Sequence, residues 1–169
     1  MKRPWFKLTP GDENFLSSAP GRMVDTMEIG QPADAVWADL TSDETLSWCR
    51  LLAGVTWTSP RPFGQGTTRM VSTPLGLLGL KEVYFRWEEG QRKSFYVAEA
   101  TAPLFRTFAE DYLVEEISPS SCRFTWTVAF EAPPAARPGD PINRLITRSL
   151  FRDTRRHFGV GSPPSGPTP

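Results

Sequence analysis

Glu110, in the stretch FAEDYLV, is the residue whose type and position could do the most chemistry. If this stretch is a strand, its alternation places Glu110 on the same face as Phe108, Tyr112 and Val114, which is apolar. Burial on such a face disfavours the charged form of a carboxyl group and raises its pKa. A carboxyl group of that kind can act as a general acid or base, or as a polar anchor for a bound molecule.

Glu110 also has simpler structural alternatives. It can form a salt bridge near the edge of the sheet, or a β-bulge can turn it outward. Arg69, in GTTRMVS, is either an outward surface charge or an inward partner for a carboxylate such as Glu110. The phenol of Tyr112 can hydrogen-bond a ligand or only a neighbouring backbone group.

The remaining reactive side chains predict neither metal nor histidine chemistry. His157 is the only histidine, and it lies in the last turn of a predicted helix, where the dipole favours a cation, so we expect a capping or surface role. Cys49 and Cys122 have apolar neighbours and no metal-ligand spacing, which predicts two buried thiols in a reducing compartment. The sequence therefore predicts no metal site and no cofactor.

Alternating residues predict two hairpins in the strand-rich half. A first hairpin with the three-residue loop Glu88-Glu89-Gly90, whose glycine takes the left-handed position, predicts two opposite faces. The inner face would hold Val83, Phe85, Trp87, Phe95 and Val97. The outer face would hold Glu82, Tyr84, Arg86, Arg92, Ser94 and Tyr96.

A second hairpin turns at SPSS, residues 118–121. Counting from this loop places Val114 opposite Phe124, Tyr112 opposite Trp126, Phe108 opposite Phe130 and Glu110 opposite Val128, with Glu115 facing Arg123 on the other side. Both hairpins predict a sheet with one aromatic inner face.

Segments with helical periodicity lie before and after the predicted strands. QPADAVWADLTS predicts one short helix and DETLSWCRLLAG, residues 43–54, a second. DPINRLITRSLFRDTRRHF, residues 140–158, predicts a long helix. Its apolar stripe would be Ile142, Leu145, Ile146, Leu150 and Phe158, and its arginine stripe, at 144, 148, 152 and 156, would be a solvated face or a contact for an acidic partner or membrane surface.

The predicted fold class is therefore α+β. A curved antiparallel sheet of about seven strands wraps round the long C-terminal helix, with two short helices after the first strand. Residues 1–21 are predicted to form an irregular arm, 22–158 the domain, and 159–169 a disordered Gly/Pro/Ser tail.

Composition narrows the class of partner. The chain has 169 residues and a formal net charge of zero, which gives no support for nucleic-acid binding. Its first residues lack the apolar run of a signal peptide, and no stretch approaches the roughly 20 apolar residues needed to span a bilayer. We therefore expect a cytoplasmic protein without stable membrane insertion, monomeric or homodimeric through a sheet edge.

Four stretches together resemble the START-like or Bet v 1-like superfamily (SRPBCC), nearest to its polyketide cyclase/dehydrase and lipid-transport group. They are IGQPADAVWADLTS, GQGTTRMVS, EVYFRWEEGQRKSFYV and FAEDYLVEE with CRFTWTVAF, and the resemblance covers about residues 23–158. It implies a helix-grip fold enclosing a cavity for an apolar molecule. The superfamily has no shared catalytic motif, so the resemblance assigns no catalytic residue.

Three functions follow as hypotheses. The first is binding, and possible transport, of a small hydrophobic ligand such as a lipid, polyketide or aromatic metabolite. Its walls would be Trp87, Phe95, Phe108, Tyr112 and Trp126, its helical lid Ile146 and Leu150, and its polar anchors Glu110 and Arg69. The second is a polyketide cyclase or dehydratase that uses Glu110, with Tyr112, as acid or base. The third is an interaction module with a packed core.

Overall fold

The computed structural model describes residues 4–135 and 140–161. Within these ranges, eight antiparallel strands form one sheet, with the order β2-β8-β7-β6-β5-β4-β3 and with β1 paired to β6. The strands are β1 Phe6–Lys7, β2 Gly21–Ile29, β3 Gly54–Trp57, β4 Thr68–Ser72, β5 Gly79–Glu88, β6 Arg92–Ala100, β7 Thr107–Ser118 and β8 Ser121–Glu131. The α-helices are α1 Glu13–Ser18, α2 Ala33–Leu40 and α3 Asp140–His157. The predicted α+β helix-grip class is confirmed.

Helix α3 covers the inner face of the sheet. Phe151 packs on the Trp126 ring at 5.2 Å between centroids, and Phe158 packs on Phe124 at 6.4 Å. The core beneath it is strongly aromatic, as the second hairpin predicts. Cys49 and Cys122 are buried and form no disulfide, which confirms the predicted burial of both thiols.

The face that α3 buries differs from the predicted stripe. Ile142 and Leu145 are 62% and 66% exposed, while Thr147, Phe151 and Thr154 are buried. The rotation is fixed by Arg155, which forms a buried bidentate pair with Asp25 on β2, through Nε to Oδ2 at 2.7 Å and Nη2 to Oδ1 at 2.5 Å. The spacing of apolar residues along the helix carries no information about this ion pair, so it could not predict the rotation of α3.

The second predicted short helix, 43–54, is wrong. The segment forms successive turns instead, with hydrogen bonds such as Thr45 N to Ser42 O at 3.4 Å and Cys49 N to Leu46 O at 2.9 Å. Leu46 has φ 60°, which ends any right-handed helix there. The turns are held against α3, since Trp48 Nε1 donates to Thr154 Oγ1 at 2.9 Å.

The N-terminal arm, predicted to be irregular, contains β1 and the six-residue α1. Asp12 caps α1 by accepting from the backbone N–H of Phe15 at 2.9 Å. Leu16 of this helix packs with Ala109 and Ala129 on the outer face of the sheet. Residues 162–169 of the predicted disordered tail lie outside the described residues.

The register of β7 with β8 is confirmed, including Tyr112 opposite Trp126 and Glu110 opposite Val128. The predicted register of β5 with β6 is wrong, although Gly90 does adopt the left-handed conformation, with φ 78°. Glu88 pairs with Arg92, so the loop is Glu89-Gly90-Gln91, one residue later than the predicted Glu88-Glu89-Gly90. Phe85 is an extra residue in a β-bulge between the paired residues Tyr84 and Arg86.

The bulge changes which side chains of β5 face inward. Glu82 and Tyr84, predicted to lie outside, are buried on the inner face. Phe85, predicted to lie inside, packs on Tyr96 on the outer face at 6.4 Å between ring centroids, and Val83 shares that outer side. Trp87 remains on the inner side as predicted, packed against the main core.

Candidate functional site

A cavity of about 130 Å³ lies between the inner face of the sheet and the N-terminal half of α3. Its wall is mostly apolar and includes Val71, Leu80, Phe108, Val128 and Leu150. Its most exposed lining residues, Leu51, Leu104 and Ile146, are 37%, 41% and 42% exposed and mark the mouth. Three charged residues line the opposite, buried end: Arg69, Glu82 and Glu110.

Six of the nine residues predicted to contact a ligand lie on this wall: Arg69, Phe108, Glu110, Trp126, Ile146 and Leu150. The other three are outside the cavity lining. Phe95 lies under the Arg69 guanidinium, 4.5 Å from its ring centroid to Cζ, and Tyr112 packs behind Trp126, 5.1 Å between centroids. Trp87 lies at the far end of the inner face, where its indole donates to Glu89 at 2.7 Å.

Arg69 and Glu82 form a buried ion pair at the inner end of the cavity. They are directly opposite each other on β4 and β5, and Arg69 Nε donates to Glu82 Oε2. Their side chains are 1% and 4% exposed. Burial raises the pKa of Glu82, and the Arg69 charge opposes that shift. Arg69 is thus the inward partner of a carboxylate, but of Glu82 rather than Glu110.

The sequence pattern places Glu82 on the outer face of the sheet. This prediction is wrong because the bulge at Phe85 reverses the inward and outward positions in this part of β5. A signal was present all the same. Arg69 and Glu82 belong to neighbouring strands of the predicted order, and a charge facing inward on one strand needs a counter-charge on the next.

Glu110 points into the cavity, so neither the salt bridge at the edge nor the outward bulge applies to it. The Trp126 indole donates to its Oε2 at 2.8 Å. Its pKa is raised to about 7, first by burial and then by the charge of Glu82, while Arg69 and the Trp126 hydrogen bond oppose the rise. A carboxyl group with this pKa exchanges its proton near neutral pH.

Several buried polar atoms near this end have no hydrogen-bond partner among the described residues. They include Nη1 of Arg69 and the hydroxyls of Tyr84 and Tyr112. The Tyr112 hydroxyl is close enough to Glu110 to lower the pKa of that carboxyl, yet it completes no hydrogen bond within normal geometry. Buried polar atoms are nearly always paired in folded proteins, and of these three residues Arg69 is the one that lines the cavity.

Lys93 is a buried amine next to this cluster that does not line the cavity. Its Nζ donates to the carbonyl oxygen of Leu40, at the end of α2. Aromatic rings surround it, with Tyr112 and Trp57 at 5.0 and 5.5 Å from Nζ to the ring centroid. Burial, and secondarily the Arg69 charge, hold its pKa well below the usual range. The sequence does carry a signal for it, since Lys93 has the strand parity of Phe95.

The structure also bears on three other features: His157, metal ligands and membrane-spanning helices. His157 Nε2 lies 2.6 Å from Asp39 Oδ2, and its ring stacks on Trp48 at 3.8 Å, as suits a surface residue in the last turn of a helix. Among the described residues, no cluster of three or more His, Cys, Asp or Glu could hold a metal ion. No helix in the described part of the chain is long and apolar enough to cross a membrane.

The sequence profile of the polyketide cyclase/dehydrase and lipid transport family matches residues 20–157. The chain belongs to this family. Uncharacterized proteins of Mycobacterium tuberculosis and Mycobacterium bovis are relatives that are 34% identical over 149 residues, covering 85% of this chain and 88% of theirs.

Solved structures agree on the fold of this member of the family. A START superfamily protein from Mycobacterium smegmatis matches with a TM-score of 0.66 and 10% identity, covering 82% of this chain and 97% of that one. The Zhui aromatase/cyclase from a Streptomyces species matches with a TM-score of 0.62 and 14% identity, covering 82% and 89%. The major latex-like protein 151 of Panax ginseng gives 0.61 and 15%, covering 82% and 97%.

These matches establish the START-like helix-grip fold, as the sequence predicts. Family and fold together support a ligand-binding domain. The cavity between the inner face of the sheet and the N-terminal half of α3 has the enclosed apolar wall that such a domain needs to hold a ligand.

Proposed function

We propose that this protein binds a small hydrophobic molecule such as a lipid, polyketide or aromatic metabolite in the cavity under α3. The observation that carries this proposal is the composition of the cavity wall. Apolar side chains cover most of it, and Arg69, Glu82 and Glu110 meet at one buried end. An apolar pocket with a few convergent polar groups is typical of small-molecule sites.

Binding would be driven by apolar burial at about 25 cal/mol per Å² and oriented by the polar end. Phe108, Trp126, Ile146 and Leu150 are the predicted apolar contact residues that line the wall, and they keep that role in the proposal. Phe95 and Tyr112 do not line the cavity. They support two residues that do, because Phe95 packs against Arg69 and Tyr112 packs against Trp126. The cavity also weighs against an interaction module with a fully packed core.

The first prediction concerns what co-purifies with the protein. We expect native mass spectrometry of freshly purified protein to show a defined bound mass that denaturing extraction releases. Leu150→Trp, which places an indole into the cavity from α3, should abolish the bound mass because it removes the volume that a ligand needs.

Leu145→Trp is the matched control. Leu145 lies on the same helix, is 66% exposed and does not line the cavity. The same bound mass should therefore persist in this variant. A mass that survives Leu150→Trp as well would place the ligand elsewhere and contradict the proposal.

Catalysis on a polyketide-like substrate is the second candidate, and one observation favours it. Glu110 lines the cavity with a pKa raised to about 7, which suits a general acid or base at neutral pH. In a carrier, Glu110→Gln would leave the recovered ligand chemically unchanged. In an enzyme, the same variant would accumulate an unconverted precursor in place of the wild-type ligand.

We also infer a cytoplasmic location and a monomeric or homodimeric state. The two buried free thiols support a reducing compartment. The zero net charge of the sequence gives no support for a nucleic-acid partner.

A further inference from the structure

A groove of about 590 Å³ lies between β2 and the C-terminal half of α3, and we call it the β2–α3 groove. Part of its lining is apolar and consists of Met23, Val24, Phe151 and Val160. The groove shares no lining residue with the cavity that faces the N-terminal half of α3. Its occupant would therefore be separate from the ligand proposed above.

The charge of the β2–α3 groove is positive. Four arginines line it: Arg148, Arg152, Arg155 and Arg156. The one acidic lining residue, Asp25, is already bound by Arg155 through two hydrogen bonds. Arg148 and Arg156 are exposed and form no ion pair with any described residue, and Arg152 lies 3.9 Å from Asp153. Because the formal net charge of the chain is zero, this excess is local, and a complementary occupant is acidic.

Strand β2 forms one wall of the groove and one edge of the sheet. It is the first strand in the sheet order, so only β8 pairs with it among the described residues. Its nine residues, Gly21–Ile29, contain no proline and pair with β8 without a register shift. A long, regular edge of this kind is a template for a further strand unless something covers it.

The backbone groups that face this open edge follow from the hydrogen-bond alternation of antiparallel strands. Val114 N–H donates to Gln91 O at 2.7 Å, so the even-numbered residues of β7 bond to β6. Carried across β7 and β8, the alternation makes the odd-numbered residues of β2 bond to β8. The N–H and C=O groups at the open edge therefore belong to Arg22, Val24, Thr26 and Glu28. In the part of the chain that the structure describes, one hydrogen bond reaches these groups, from Arg155 Nη2 to Thr26 O at 2.9 Å.

The arginines and the strand edge have spacings that one extended peptide can match. Arg148, Arg152 and Arg156 are four residues apart on α3, which is about 6 Å per step. Alternate side chains on one face of a β-strand are about 6.7 Å apart. Acidic residues at every second position of an added strand can therefore face successive arginines.

We propose that an extended acidic segment of a partner protein binds in the β2–α3 groove, where it adds to β2 as a further antiparallel strand and directs alternate carboxylates at Arg148, Arg152 and Arg156. In this mode of recognition, main-chain hydrogen bonds supply affinity and the side-chain pattern supplies specificity.

Other occupants fit these observations less well. Residues 162–169 contain no Asp or Glu, so they lack the complementary charge. A second copy of the chain would bring the same arginines to the interface. A lipid surface would reach the exposed arginines but leave the backbone groups at the open edge of β2 without partners.

The probe for the test is a fluorescein-labelled peptide of alternating Glu and Val, nine residues long like β2 and blocked at both ends. Fluorescence anisotropy measures its binding to the full chain. Opposite residues of an antiparallel pair share one face, so with its glutamates toward α3 the peptide bonds to β2 through the backbone groups of its valines. N-methylation of the valines should therefore abolish binding, whereas N-methylation of the glutamates, the matched control, should preserve most of it.

The arginines are tested with the unmethylated peptide. Arg148→Gln combined with Arg156→Gln should weaken its binding by about tenfold, as for the loss of two exposed ion pairs. Arg50→Gln combined with Arg106→Gln removes the same charge from two exposed residues outside the groove and should leave the affinity unchanged. A peptide in which Gln replaces every Glu should bind wild type no better than it binds the Arg148→Gln and Arg156→Gln variant.

Contrary results overturn the proposal in distinct ways. Equal binding of the two methylated peptides would exclude the antiparallel addition to β2. An equal loss of affinity in both pairs of arginine variants would show an effect of net charge rather than of the groove. If the acidic peptide does not bind, the proposal fails, and binding to phosphatidylcholine vesicles that contain phosphatidylglycerol, dependent on Arg148 and Arg156, would then identify a lipid-binding surface. The proposed function stands in each case, because the groove and the cavity share no lining residue.

Discussion

Glu82→Leu is expected to lower the free energy of unfolding by about 3–5 kcal/mol, because it removes the carboxylate that pairs with the buried Arg69 guanidinium. Both side chains of this pair are almost fully buried, at 1% and 4% exposure, so solvent cannot replace the lost partner. Equilibrium urea denaturation of wild type and variant at neutral pH measures the difference.

Two further variants show whether the loss comes from the unpaired charge. Arg69→Met combined with Glu82→Leu should recover most of the stability, since a buried ion pair and a well-packed apolar pair are often nearly equivalent. Lys81→Met breaks a partly exposed pair, 43% and 31% exposed, and should cost less than about 1 kcal/mol. A loss in Glu82→Leu no larger than in Lys81→Met would contradict the account of a buried pair.

Glu110→Gln is expected to remove a pH dependence of stability. In the folded protein the pKa of Glu110 is raised from 4.5 to about 7, so between these values the folded state binds more protons than the unfolded state. The stability of the wild type therefore falls as the pH rises from about 4.5 to about 7. A shift of this size corresponds to about 3 kcal/mol. Unfolding measured across this pH range should show the fall in the wild type and its loss in the variant.

The comparison between variants isolates Glu110 from other titrating groups. Glu116→Gln is the matched control, because Glu116 lies on the same strand but is exposed. Its pH profile should run parallel to that of the wild type. If the Glu110→Gln profile is also parallel, the carboxyl group titrates normally and its proposed role near neutral pH is lost.

The β7–β8 hairpin could be predicted residue by residue from the sequence. One count from the loop gives every pair from Thr107–Glu131 to Glu116–Cys122, including Glu110 opposite Val128, and the register shifts only beside the loop, between Glu116 and Ser118. The inward position of Glu110 and Trp126 follows from that count. This is the half of the site that the sequence predicts correctly.

The other half depends on a backbone irregularity. In β5, both sets of alternate residues include a large aromatic side chain, Tyr84 in one set and Phe85 and Trp87 in the other, so the residue pattern does not reveal that Phe85 is an extra residue in a bulge. The bulge turns Glu82 inward and creates the partner of Arg69. Sequence reasoning therefore found Arg69 but paired it with the wrong candidate.

Long-range polar contacts explain the errors in the helices. The bidentate bond between Arg155 and Asp25 joins residues 130 positions apart, and it rotates α3 so that Leu145 is exposed. The turns at 43–54 are likewise fixed from a distance, by Trp48 on Thr154. Neither contact produces a local periodicity, so neither could be predicted from the spacing of apolar residues.

The central claim is that an apolar molecule binds between the sheet and α3. Titrating benzene into protein with labelled Ile, Leu and Val methyl groups, followed by NMR, tests it most directly. We predict shifts at Val71, Leu80, Val128, Ile146 and Leu150, which line the cavity. Ile29, Val36 and Leu40, fully buried but outside the cavity lining, should not move. Shifts confined to those three, or an absence of any saturable shift, would contradict the account.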